Sequence, residues 1–60
     1  MRPKDIYSCF VSMNRELIPD LLRYTQDNTN QNRIKLYFRD GRTGSFEVQR
    51  GRYILIIKED

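Results

Sequence analysis

Arg33, Lys35, Tyr37, Arg39, Arg42, Arg50 and Arg52 crowd the C-terminal half of this sequence, beginning with the run RIKLYFRDGR. Guanidinium and ammonium groups interleaved with an aromatic ring suit one kind of chemistry. The cations contact phosphate, and the ring stacks an unpaired base. Solvated strand faces also carry arginine and lysine, whose long apolar stems cover a sheet well. Nucleic acid binding is therefore an expectation to be set against that structural role.

Other chemistries are poorly supplied. The chain has no histidine, so the commonest general base near neutral pH is missing. Cys9 has no imidazole to activate it, and Ser8 and Ser12 have no base nearby in sequence. Glu16 and Asp20 flank an apolar stripe, and Glu59 and Asp60 form an acidic end; solvated charge accounts for both pairs. No glycine loop of the phosphate-cradling kind occurs. The reading is a non-enzymatic domain with no cofactor and no metal site, since one cysteine without histidine does not make a zinc set.

The 60-residue chain carries a net charge of +3, and all of it lies beyond residue 32. Before that point Arg2, Lys4, Arg15 and Arg23 balance Asp5, Glu16, Asp20 and Asp27. Beyond it Arg33, Lys35, Arg39, Arg42, Arg50, Arg52 and Lys58 outnumber Asp40, Glu47, Glu59 and Asp60. That asymmetry points to a polyanionic partner, either nucleic acid or an acidic protein surface. No run has the length or hydropathy to cross a membrane, and no signal-peptide h-region opens the chain. A lone cysteine fits a reducing compartment, so the expectation is a cytoplasmic protein.

These side chains need elements to hold them. In RIKLYFR, Ile34, Leu36 and Phe38 alternate with Arg33, Lys35, Tyr37 and Arg39, the period of a strand with one dry face. Asp40-Gly41 supplies a turn, SFEVQ resumes the alternation, Arg50-Gly51 supplies a second reversal, and YILIIK makes a third strand. Pairing Phe38 with Phe46 and Val48 with Tyr53 turns Leu36, Phe38, Phe46, Val48, Tyr53 and Leu55 to one side. Upstream, Leu17, Ile18, Leu21 and Leu22 form a stripe at helical spacing, with Pro19 placed in the first turn. The segment DIYSCFVSM reads either way: a strand by its aromatic and β-branched content, or a helix that aligns Ile6, Phe10, Met13 and Leu17. Composition favours the strand.

The predicted fold class is thus α+β, in one small domain. An N-terminal strand or irregular arm spans 1–13, one α-helix 14–26, a polar linker 27–32 and a three-stranded antiparallel meander 33–58, packed on the helix. The predicted core is Val11, Leu17, Leu21, Leu22, Ile34, Leu36, Phe38, Phe46, Val48, Tyr53, Leu55 and Ile57. Ile54 and Ile56 fall on the face that should be wet. With Lys58 at the strand end they mark a protein interface, either with a partner or in a homo-oligomer. Small domains of this type recur among regulators and inhibitors of phage and mobile elements, which gives the alternative reading of a protein-binding regulator.

Two stretches resemble known RNA-binding motifs without completing them. RGRYILII resembles the start of the RNA-recognition-motif octapeptide but lacks the aromatic and small residues that follow, and 60 residues do not hold that βαββαβ fold. Residues 17 to 58 resemble the first motif of Sm-like RNA-binding proteins. There QRGR stands in place of Asp-x-x-Asn, and no counterpart of the two barrel-closing strands follows. Neither resemblance assigns a family.

Overall fold

The computed structural model describes residues 1–59; Asp60, half of the acidic end, lies outside the described residues. One helix, α1 (Pro3–Met13), is followed by a 3₁₀ turn over Arg15–Asp20. Four strands follow: β1 (Leu21–Gln26), β2 (Arg33–Phe38), β3 (Thr43–Gln49) and β4 (Arg52–Lys58). They pair antiparallel in chain order, β1-β2-β3-β4, and α1 packs chiefly over β2 with β1 and β3 to either side. The α+β class matches the sequence reading, with four strands where three were predicted.

The N-terminal segment is a helix and not a strand. Pro3 sits in the first turn, where a missing N–H costs nothing, and Asp5 follows on the favourable side of the helix dipole. Ile6 and Phe10, one turn apart, are completely buried against the sheet. Met13, on the same predicted stripe, is exposed. The Asn14 backbone and side-chain amides both donate to the Phe10 carbonyl and close the helix.

The helix predicted over 14–26 is not formed. Pro19 lies inside the 3₁₀ turn, where it cannot donate a helical hydrogen bond. LLRYTQ, with its tyrosine and threonine, then joins the sheet as β1. A register shift between Leu21 and Arg23 separates the two leucines. Leu21 is buried opposite Phe38, while Leu22 stands 56% exposed. The polar linker 27–32 closes the β1–β2 hairpin: Asp27 Oδ1 accepts from the Thr29 amide and hydroxyl, and Asn30 Oδ1 from the Asn32 amide.

The β3–β4 register is the predicted one, Phe46 opposite Leu55 and Val48 opposite Tyr53. Arg50 (φ 44°) and Gly51 (φ 80°) both take positive φ, as a two-residue type I′ hairpin turn requires. The β2–β3 register differs from prediction by four residues, with Phe46 opposite Ile34 and Gly44 opposite Leu36. An even slip leaves every side chain on its predicted face, so alternation alone does not resolve it. Asp40-Gly41 does turn the chain, with the Gly41 amide donating to the Phe38 carbonyl.

The core is Ile6, Phe10, Leu21, Ile34, Leu36, Phe38 and Phe46, all buried. A chain of aromatic contacts ties it across the sheet. Tyr7 stacks on Tyr24 at 4.2 Å, and Phe10 meets Phe46 edge-on at 5.5 Å. Phe46 in turn lies beside Tyr53 at 6.2 Å. Leu22 and Tyr53, both predicted to be core, are exposed: the first by the irregularity in β1, the second because β4 is the sheet's edge.

Candidate binding face

The face of the sheet opposite α1 is built by alternation. Its cross-strand rows are Arg23–Tyr37–Thr43–Lys58, Thr25–Lys35–Ser45–Ile56, Arg33–Glu47–Ile54 and Gln49–Arg52. Side-chain length shapes this surface. Thr43 and Ser45 on β3 are short, whereas Lys35 and Tyr37 on β2 and Ile56 and Lys58 on β4 are long. The result is an open trough of about 440 Å³ along β3, floored by Thr43, Gly44 and Ser45. Lysine stands on both walls, with Tyr37 on one and Ile56 on the other.

The predicted basic residues divide by what they touch. Arg33 Nε donates to Asp27 Oδ2 at 2.6 Å, and its Nη1 lies 3.5 Å from Glu47 Oε1. Its Nη2 reaches the Thr29 hydroxyl at 3.2 Å. Arg33 is thus a tie between the β1–β2 loop and β3, holding two buried carboxylates. Thr29 first, then Arg33, holds the Asp27 carboxyl well below the usual carboxylate range. With both carboxylates met by Arg33, the ammonium groups of Lys35 and Lys58 have no ion-pair partner among the described residues.

Arg39 and Arg42 lie at the β2–β3 turn and are engaged there. Arg39 Nε donates to the Pro19 carbonyl at 3.1 Å, anchoring the 3₁₀ turn. Arg42 pairs with Asp40 at 2.6 Å and lies over the Phe38 ring. The Arg42 amide, more than its side chain, keeps the Asp40 carboxyl low. Arg50 and Arg52 stand exposed at the β3–β4 turn. Because of the four-residue slip, Lys35 neighbours Ser45 and not Gln49 or Arg52, and Tyr37 neighbours Thr43 and not Glu47.

Arg23 is a member of this face that the sequence reading missed. Its guanidinium sits 4.4 Å above the Tyr37 ring and covers one side of it. Had LLRYTQ been read as a strand, the period of two would have placed Arg23 there. The predicted interface residues Ile54 and Ile56 do lie on this face, 40% and 48% exposed. No group of acidic or sulfur ligands capable of holding a metal ion occurs among the described residues. No helix of the described chain is long and apolar enough to cross a membrane.

Comparison of the chain with protein-family models, with curated proteins and with solved structures yields no match.

Proposed function

We propose that this domain is a small non-enzymatic regulatory module that binds single-stranded nucleic acid along the β3 trough. The observation that carries the reading is the placing of Lys35 and Lys58, diagonal to each other across a floor of hydroxyl groups beside an aromatic ring, with no ion-pair partner among the described residues. Lys35 and Lys58 contact successive phosphates, and the Thr43 and Ser45 hydroxyls offer hydrogen bonds to backbone or base. Tyr37, backed by Arg23, offers its open side to a base edge or ring. Arg52 and Arg50 extend the positive track towards the β3–β4 turn. The free Cys9 fits work in a reducing compartment such as the cytoplasm.

The test is a titration of short single-stranded RNA and DNA by fluorescence anisotropy over a range of salt. Affinity should fall with a log–log slope of roughly −0.7 for each phosphate neutralised. The double change Lys35→Glu, Lys58→Glu should abolish binding while the folded spectrum is kept. Binding that ignores both salt and those charges overturns the reading.

A second reading rests on a different observation. β4 is apolar on both faces, with Tyr53, Ile54 and Ile56 each 40% exposed or more. This edge favours a protein-binding regulator or inhibitor, or a homo-oligomer, acting through Ile54, Ile56 and Lys58. Ile54→Asp should then lose the protein contact, and retention of every protein interaction in that variant sinks it.

A further inference from the structure

The two edges of the sheet are unlike. β1 is interrupted by its register shift and follows directly on the Pro19 turn. Those devices discourage another strand from pairing there. β4 has none of them: its register with β3 is unbroken from Arg52 to Lys58, and it carries no proline and no charge between those two ends.

The direction of its free main-chain groups follows from one hydrogen bond. The Val48 amide donates to the Asn32 carbonyl at 2.9 Å, towards β2. Alternation along β3 turns Glu47 and Gln49 the other way, towards Ile54 and Arg52 on β4. The N–H and C=O groups of Tyr53, Leu55 and Ile57 therefore point off the sheet, with no neighbouring strand to meet them.

We infer that β4 pairs antiparallel with β4 of a second copy of this chain, about a two-fold axis at Leu55. The inference rests on the second reading above and names its partner. The strand is close to palindromic in character around Leu55. In this register Leu55 faces its own copy, Tyr53 faces Ile57, and Ile54 faces Ile56 across the dyad. Every outward amide and carbonyl at 53, 55 and 57 then finds a partner, because the paired positions are all outward-pointing ones. Slipping the strands by two residues either way leaves one of those positions unpaired on each strand. On the outer face the four isoleucines form one apolar cluster, covering the side chains the monomer exposes. The two sheets join into one of eight strands, and the troughs of the two copies lie on the same side, flanking the cluster. Arg52 of one copy faces Lys58 of the other at the rim. That like-charge pair opposes the dimer, and salt screens it.

The experiment uses the full chain after nuclease treatment, so that nucleic acid does not bridge copies. Sedimentation equilibrium should give twice the chain's mass, with association strengthening as salt rises. Nucleic acid affinity moves the opposite way with salt, so the two proposals fail separately. Amide hydrogen exchange by NMR should show Tyr53, Leu55 and Ile57 protected, with protection falling on dilution. Ile56→Lys should weaken association by at least about tenfold, since two-fold symmetry counts the change twice. Leu22→Lys, on the other edge, should leave association unchanged. A monomer at NMR concentrations overturns the dimer, and so does a dimer whose three outward β4 amides exchange freely. A monomer leaves β4 open to a different protein, which Ile54→Asp tests independently.

Discussion

A Cβ placed on Gly44 would stand 2.6 Å from the Ile56 carbonyl oxygen, closer than such atoms approach in folded proteins. The obstacle is main chain on the neighbouring strand, and it does not rotate away. Glycine in a strand interior is ordinarily a cost relative to alanine. Here the sign reverses: Gly44→Ala should destabilise the domain by about 1–3 kcal/mol, the usual range for overpacking. Urea denaturation followed by circular dichroism measures it, and a neutral or stabilising result contradicts the close approach of β3 and β4.

The β3–β4 turn gives a prediction of opposite sign. Arg50 holds φ 44°, a region in which asparagine is far commoner than arginine. Arg50→Asn recreates the Asn-Gly pair that type I′ turns prefer, and should raise stability by about 0.5–1 kcal/mol. Gly51→Ala, at φ 80°, should lower it by about 1 kcal/mol, since space is open there and only the backbone conformation objects. Thermal unfolding of the two variants side by side separates these effects.

Asp27 should contribute to the loss of stability in acid. The Thr29 hydroxyl at 2.6 Å and amide at 2.8 Å, together with Arg33, favour its ionised form in the fold. Its folded pKa therefore lies below the unfolded value, so the folded state binds fewer protons as pH falls. The stabilisation is fully present above the ordinary carboxylate range, near about pH 4. It is lost as pH drops through that range towards the folded value. Asp27→Asn should lower the melting temperature at neutral pH and flatten its fall in acid. A variant with the same acid slope as the parent would show that this carboxylate does not drive the loss.

Phe10 tests the element that sequence reading placed least well. It is fully buried, with its ring edge-on to Phe46, and Phe10→Ala should cost about 3–5 kcal/mol. A 60-residue domain has roughly 3–9 kcal/mol in all at typical stability per residue. The variant should therefore lose about a third or more of that stability and melt well below the parent by circular dichroism, whereas Met13→Ala, at an exposed position, should melt close to it.

That helix escapes a sequence reading for a physical reason. Ile6 and Phe10 sit four apart, and Pro3 and Asp5 are start signals, yet aromatic and β-branched residues weigh towards strand. Packing against Phe46, which is distant in sequence, settles the matter. LLRYTQ fails in the mirror sense: its leucines complete a helical stripe only if Pro19 is accommodated. Pairing with β2 rewards the strand instead. β2, β3, β4 and both of their turns were legible because period-two alternation and Asp-Gly or Arg-Gly chemistry are local. The offset between β2 and β3 was not, since alternation fixes parity alone. The trough inherited that gap, because it depends on Ser45 and Thr43 lying between Lys35 and Lys58.

Position along the face separates a binding trough from a diffusely positive surface. If charge alone mattered, any two basic residues of the C-terminal half would count alike. Arg39 and Arg42 are engaged at the β2–β3 turn with the Pro19 carbonyl and Asp40, whereas Lys35 and Lys58 stand on the trough walls and form no ion pair with a described carboxylate, Asp27 beside them being held by Arg33. Arg39→Gln with Arg42→Gln should weaken oligonucleotide binding by less than about threefold, with a small change in salt slope. Lys35→Gln with Lys58→Gln removes the same formal charge and should weaken it by at least about tenfold, and the slope should shrink by roughly the share of two phosphates. Tyr37→Leu should act on affinity without touching the slope, because stacking releases no counterions. Equal effects from the two charge pairs would mean that the trough organises nothing.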